Sequence, residues 1–332
     1  MPHSPLSEFP PQDPVPVARE RLAATRVLVI GDVMLDRYWF GEVSRISPEA
    51  PVPIVQVATR EVRLGGAANV ARNIAALGAQ VSLLGVVGDD DAGACVSRLL
   101  RQSGIGDFTC MRAGAQTIVK LRVLGQRQQL LRIDFECRRE AAALEIDAMQ
   151  LGSLMAAHDI VVLSDYAKGC LGDPQALITI ARTQRCPVLV DPKGEDYSRY
   201  ANANMVTPNL AELKLVLGRW KDEEDLHIRA QALRQSLSVP SLLLTRSAEG
   251  MTVFDDAGVR HFAAEAREVF DVSGAGDTVI AVLAALMGAG VRQDLAIALA
   301  NRAAGIVVGK LGTATVDFDE LFADRSTNLD VH

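Results

Sequence analysis

Phe270-Asp271-Val272-Ser273-Gly274-Ala275-Gly276-Asp277-Thr278 sets two glycines and a carboxylate directly ahead of an apolar, alanine-rich run, Val279–Met287. The pattern predicts a loop that opens into a buried helix. The first amides of a helix have no intrahelical partner, and the helix dipole adds positive potential there. Gly274 and Gly276 lack a Cβ, so a ligand can approach the backbone closely. Asp277 would stand beside those amides, where a carboxylate can accept a proton from an attacking hydroxyl. An anion hole built from residues 274–277 together with a carboxylate base is the minimal equipment for phosphoryl transfer to an alcohol. A helix cap and a turn would account for the same residues taken alone. The remainder of the chain has to decide between the two.

Other polar residues recur where short apolar runs end. Arg26–Ile30 runs into Gly31-Asp32, Ile160–Ser164 into Asp165-Tyr166-Ala167-Lys168, and Val188–Val190 into Asp191-Pro192-Lys193. In a parallel α/β sheet those ends form the ligand-binding edge. Leu64-Gly65-Gly66-Ala67-Ala68-Asn69 reads as a second glycine loop running into a helix. Val70, Ile74 and Leu77 line one face of that helix, with Asn69 and Asn73 near its start as candidates for sugar hydroxyls. Asn209 and Glu212 share the first turn of another helix. They fit a capping box, and they equally fit a carboxylate that organises magnesium through water.

These elements alternate as strand, loop and helix, the signature of a mainly parallel sheet. Two regions break the rhythm. Residues near 36–57 are extended and proline-marked, and 117–135 read as a hairpin about Gly125. Together they predict a small β-sheet lid outside the core. Lys120, Arg122, Arg127 and Arg132 are its cationic candidates for a charged substrate. Ile54, Val55, Val57, Ile118, Leu121 and Val123 would give it an apolar face, which a second copy of the chain would cover in a homodimer. Residues 1–24, rich in proline, are expected to form a flexible arm, with one domain over 25–325.

The 332 residues carry 34 Lys and Arg against 41 Asp and Glu, a net charge of −7. That balance argues against nucleic acid or an anionic membrane as the main partner. Five scattered cysteines predict free thiols in a reducing compartment. The first twenty residues lack an apolar signal core, and no apolar run approaches the ~18 residues of a membrane span. A cytoplasmic protein is expected.

Over residues 25–320 the chain resembles the ribokinase (PfkB) family of carbohydrate kinases. Gly65-Gly66-Ala67-Ala68-Asn69 resembles the N-terminal signature, and Asp271–Thr278 the C-terminal one. Thr207-Pro208-Asn209-Leu210-Ala211-Glu212 is similar to the Asn-x-x-Glu element that governs magnesium and phosphate. Thr245-Arg246-Ser247-Ala248-Glu249-Gly250 resembles the nucleotide element, with Ser247 in place of its middle glycine. The resemblance implies a Rossmann-like αβα sandwich of ribokinase type, using ATP and Mg2+. Asp277 would be the base and Gly274, Ala275 and Gly276 the anion hole. Asp32, Gly65, Gly66, Asn69, Arg122, Asp165, Lys168 and Lys193 would meet the sugar phosphate. Asn209, Glu212, Thr245, Gly250 and Asn301 would serve the nucleotide. Gly31–Gly41 and Arg45–Pro53 resemble a branch that phosphorylates a heptose 7-phosphate at its anomeric O1, for lipopolysaccharide core heptose. That branch often carries a nucleotidyltransferase domain with a His-x-Gly-His motif. This chain has no such motif, so a stand-alone kinase is expected. A PfkB kinase acting on another sugar, another sugar phosphate or a nucleoside, and a catalytically silent sugar-binding sensor, remain open as alternatives.

Overall fold

The computed structural model describes residues 19–125, 128–136, 143–265 and 269–323. The expected arm up to residue 18, Arg127 and Cys137 lie outside them. Order begins earlier than the proline content implies. Residues Arg19–Ala24 form a helix, α1, whose Leu22 is fully buried.

The strands are β1 (Arg26–Gly31), β2 (Val33–Ile46), β3 (Pro53–Gly66), β4 (Gln80–Leu84), β5 (Val86–Gly88), β6 (Gly106–Asp107), β7 (Cys110–Arg112), β8 (Ile118–Gly125), β9 (Gln128–Phe135), β10 (Ile160–Ser164), β11 (Val188–Asp191), β12 (Met205–Val206), β13 (Ser241–Thr245), β14 (Met251–Asp255) and β15 (Gly258–Phe262). After α1 the helices are α2 (Ala67–Ala76), α3 (Asp91–Gln102), α4 (Ala148–Ala156), α5 (Pro174–Thr183), α6 (Leu210–Leu217), α7 (Glu223–Ser236), α8 (Ala275–Gly288), α9 (Gln293–Val307) and α10 (Phe318–Phe322).

Nine strands form the central sheet in the order β15-β14-β13-β12-β11-β10-β1-β4-β6. It is parallel from β6 to β13, and β14 and β15 add antiparallel at one edge. β1 and β10 are near-continuous apolar runs because both faces are covered. The α2, α3, α8 and α9 helices pack on one face, and α4 and α5 on the other. Residues Asp277 to Leu286 of α8 are all buried, the expected fate of a helix that is apolar all round. Its last residue, Gly288, lies so near the sheet that a Cβ would stand 2.8 Å from Thr25.

The lid is a four-stranded sheet, β3-β2-β8-β9, with β2 and β8 parallel and the other pairs antiparallel. Its strands reach further toward the core than the predicted 36–57 and 117–135. β2 begins one residue after β1 ends, and β3 runs through to Gly66. Gly65 and Gly66 are therefore the end of a strand, not a loop. A Cβ on Gly66 would meet the Asp32 carbonyl at 2.4 Å, and its φ is +56. Only glycine fits where the lid ribbon turns into α2.

The lid has two chemically distinct faces. The register pairs Leu35 with Val119 and Arg37 with Leu121, and it pairs Val119, Leu121 and Val123 with Phe135, Ile133 and Leu131. That face is mainly apolar. Asp36, Lys120, Arg122, Arg132 and Asp134 share the other. Strand alternation moves Ile118 off the apolar strip, contrary to its expected place with Leu121 and Val123. Leu121 and Val123 are themselves already buried within one chain.

Candidate active site

The strand ends of the sheet and the polar face of the lid converge on the start of α8. Gly274 takes a left-handed conformation (φ 79) at the N-cap, and no side chain caps the helix. A Cβ on Gly274 would lie 2.9 Å from Asn69 Nδ2, whereas one on Gly276 would meet nothing within 4 Å. The backbone at Gly276 is thus open to an incoming group. The loop ahead of it is tied down from both sides. Asp271 accepts from the amides of Ser273 (2.9 Å) and Gly312 (2.9 Å), and the amides of Phe270 and Asp271 donate to the Val308 carbonyl. Burial pushes the Asp271 carboxyl up, but these donors outweigh it and hold it below its ordinary value.

Asp277 is buried, and both its oxygens are held. Asn69 Nδ2 donates to Oδ2 at 2.7 Å, and the Tyr166 hydroxyl donates to Oδ1 at 2.5 Å. Asn69 is itself braced, since Asn73 donates to its backbone carbonyl and Thr278 donates to Asn73. Burial pushes the Asp277 carboxyl up to about 6. Asn69, Tyr166 and the charge of Lys120 oppose the rise, and the charge of Asp36 adds to it. A carboxylate poised near neutrality in a site with unused helix amides is suited to take a proton from a hydroxyl.

Asp32 is buried against the loop that follows β10. It is 1% exposed and accepts from three amides, those of Tyr166 (2.8 Å), Lys168 (3.0 Å) and Cys170 (3.0 Å). Its carboxylate shapes the loop after β10. Asp165 is engaged likewise, with one oxygen on the Ala167 amide and the other on the Tyr200 hydroxyl.

The expected lysines are also paired. Lys168 binds Glu136 at 2.5 Å beneath the lid, and Lys193 binds Glu212 at 2.8 Å. That second pair sets Lys193 against the Asn209–Glu212 helix. Arg122 pairs with Asp36 at 2.7 Å and lies over the Tyr38 ring. Lys120 makes no ion pair among the described residues. Its ammonium sits 5.3 Å from the Tyr166 ring centroid, and burial pulls its pKa down.

The capping box at Asn209 and Glu212 is present in full. Glu212 Oε2 accepts from the Asn209 amide and Oε1 from Lys193. The Thr245 amide donates to the Pro208 carbonyl, so the two expected nucleotide elements lie side by side. Gly250 closes a short turn with Arg246 at φ 96, and a Cβ there would stand 2.0 Å from the Phe262 carbonyl. Ser247 adopts φ 51, the conformation glycine would take more easily. Asn301 donates to the Ala263 carbonyl at 2.7 Å and so braces that strand end.

Among the described residues no three His, Cys, Asp or Glu side chains converge as a metal cage. Asp191, at the end of β11, is held well above its ordinary value by burial, with Asp277 and Glu212 adding to the rise. Carboxylates that form no cage of their own suit a magnesium ion that arrives with its own waters and phosphates. Asp191 and Tyr166 both lie in the strand-end runs that the sequence marks as the ligand-binding edge, but nothing in the sequence gives Tyr166 a role of its own.

A buried carboxylate at a helix start without a side-chain cap, facing a polar lid across a doubly wound sheet, is the arrangement of a phosphotransferase of the sugar-kinase type. Residues 24–320 match the pfkB family carbohydrate kinases, and the chain belongs to that family. It is 57% identical over 308 residues to the D-beta-D-heptose 7-phosphate kinase of Bordetella bronchiseptica, covering 93% of this chain and 98% of that one. It is 54% identical over 299 residues to the bifunctional protein HldE of Pseudomonas aeruginosa, covering 89% of this chain but 62% of that longer protein. Among solved structures, ribokinase of Arabidopsis thaliana complexed with ribose and ATP superposes with a TM-score of 0.74 at 20% identity, covering 90% and 97% of the two chains. Escherichia coli phosphofructokinase-2 in complex with potassium gives 0.75 at 20% identity, covering 90% and 97%. These two establish the shared ribokinase-like fold.

Proposed function

We propose that the chain transfers the γ-phosphoryl group of ATP to the anomeric O1 of D-glycero-β-D-manno-heptose 7-phosphate, giving the 1,7-bisphosphate for lipopolysaccharide core heptose. The observation that carries the chemistry is the doubly held Asp277 beside the open amides of Gly274 and Gly276, the Ala275 amide being bonded to the Val272 carbonyl. The acceptor follows the relative of near-equal length, which is a heptose 7-phosphate kinase.

Asp277 takes the proton from O1 as the O1–P bond forms. The bond from the γ-phosphorus to the bridging oxygen breaks, and its electron pair leaves on ADP. The α8 amides face the charge that develops on the transferring oxygens. A nucleotide-borne magnesium ion supplies neutralisation of phosphate charge, and Glu212, through water, and Asp191 would hold it. Asn69 orients the base, and the backbone at Gly65 and Gly66 borders the sugar. Lys120 and Arg122 on the polar lid face, with Lys168, are the cations for the 7-phosphate. Thr245 and Gly250 border the nucleotide.

The outer lid face leaves Leu131 53%, Ile133 38% and Phe135 41% exposed. A second copy of the chain covering it would make a homodimer. Among the described residues no helix is long and apolar enough to cross a membrane, and a cytoplasmic site of action matches the supply of ATP.

A coupled ADP-release assay over heptose 7-phosphate, fructose 6-phosphate, ribose and a nucleoside tests the reading. The highest kcat/KM is expected for heptose 7-phosphate. Preference for another acceptor would keep the kinase and overturn the substrate, and no turnover with any would favour the silent sensor.

A further inference from the structure

Tyr166 stands in a part of the site that the family signatures leave out. Its loop is over-determined. The Tyr166 amide is one of three gathered by Asp32, and the next residue, Ala167, holds a left-handed conformation (φ 56) with its amide on Asp165. A non-glycine residue keeps such a conformation only where its surroundings enforce it. What this arrangement delivers is the Tyr166 hydroxyl, 2.5 Å from Asp277 Oδ1 and on the opposite side of the carboxylate from Asn69. A carboxylate held at one oxygen can still swing about its terminal torsion, but one held at both cannot.

We propose that Tyr166 is a positioning residue for the reaction, its hydroxyl locking the Asp277 carboxylate in the orientation that receives the acceptor's proton, and its ring linking that lock to Lys120 on the lid. The inference rests on reading Asp277 as the base. Tyr166 acts as a donor throughout. Burial, reinforced by the charge of Asp277, raises its own pKa well above the ordinary tyrosine value, so it does not compete as a base. Its bond to the charged form favours ionised Asp277. The charged and titratable groups that act on Asp277 from the surrounding elements are Asp36 on β2, Lys120 on β8, Tyr166 after β10 and Asp191 on β11. None but Tyr166 donates a hydrogen bond to it.

Tyr166→Phe is the test. Turnover should fall about tenfold or more while the KM for ATP holds. The acid limb of kcat should move up by about one pH unit, the size of one hydrogen bond to a charged group. Site-specific 3-fluorotyrosine at position 166 keeps the donor and should restore turnover. A Phe variant with the parent's kcat and acid limb would overturn the inference. Titration of 13C-labelled Asp277 reads the same shift without turnover, so it decides the role of Tyr166 even if the acceptor sugar is misassigned. Should the Phe variant fail to fold, the fluorinated residue still decides. Being a stronger donor, it should move the Asp277 titration to lower pH, and an unmoved titration would count against the lock.

Discussion

Asn69 and Asp277, at the starts of two different helices and 208 positions apart, meet in a 2.7 Å hydrogen bond. The contact joins the end of the lid ribbon to the catalytic helix. Gly274 packs into the same corner, where a Cβ would stand 2.9 Å from Asn69 Nδ2. Gly274→Ala should therefore strain the backbone and push Asn69 off Asp277 together. A stability loss of about 1–2 kcal/mol is expected, with turnover falling by more than that loss explains. Denaturant melts beside kcat at saturating substrate measure both. A destabilised variant with full kcat would show that the Asn69 contact does not matter to the chemistry.

Asp277→Asn should lower kcat by about 10²–10⁴, the usual share of a general base. It should not lower stability at neutral pH. The folded carboxyl titrates near 6 against 3.8 when free, so its raised pKa makes ionisation a burden on the fold. That burden is absent below the unfolded pKa, grows as pH rises from about 4, and is complete above about 6. Its full size is about 3 kcal/mol by linkage. Thermal melts from pH 5 to 8 should show the gap between variant and parent moving in the variant's favour as pH rises. A gap that is constant with pH would mean Asp277 is not buried and charged as described.

Turnover of the parent should climb with pH through about 6 as Asp277 ionises. A kcat profile already flat from pH 5 upward would place the base elsewhere.

Glu212 serves two structural partners, so Glu212→Gln should show mixed effects. Loss of the capping-box charge and the Lys193 pair should cost about 1 kcal/mol. The magnesium concentration for half-maximal rate should rise, while the sugar-phosphate KM holds. Lys193→Met should raise the KM for ATP and leave the sugar KM unchanged, since Lys193 lies against Glu212. A selective change in the sugar KM would return Lys193 to the 7-phosphate.

The homodimer is best probed where the lid is exposed. Leu131→Glu or Ile133→Glu should give a monomeric mass in light scattering at low micromolar protein while leaving the melt nearly unchanged. A parent that is already monomeric would remove the dimer. A dissociated variant with parental kinetics would separate interface from site.

What could be read from the sequence was local. The apolar runs at Val27–Ile30 and Ile160–Ser164, the helix after Asp277 and the capping box at Asn209 follow from periodicity and short-range chemistry, and all are in the fold. What could not be read was set by contacts between distant segments. Gly65 and Gly66 look like a loop because glycine usually marks one, yet they end a strand where Asp32 and Asp36 crowd the backbone. Lys168 and Lys193 look free because their partners, Glu136 and Glu212, lie 32 and 19 residues away. Asp32 and Asp165 look like ligand groups because strand ends often supply them, and only the amides after β10 show how they are used. Tyr166 reaches Asp277 across 111 positions, with no spacing rule to announce it.

The lid strands run on from the core elements at their root. β2 leaves the core one residue after β1, β3 returns straight into α2, and each is 14 residues long, about 45 Å of paired ribbon. Fixed at that end by the Ala67 amide on the Asp32 carbonyl, it is mechanically a cantilever. A beam clamped at one end yields most at its free tip and least at its anchorage, where Asp36, Gly65 and Asn69 sit. The catalytic end of the lid would then keep its shape through every cycle of opening, and amide exchange should slow steadily from Ile46 back toward Val33.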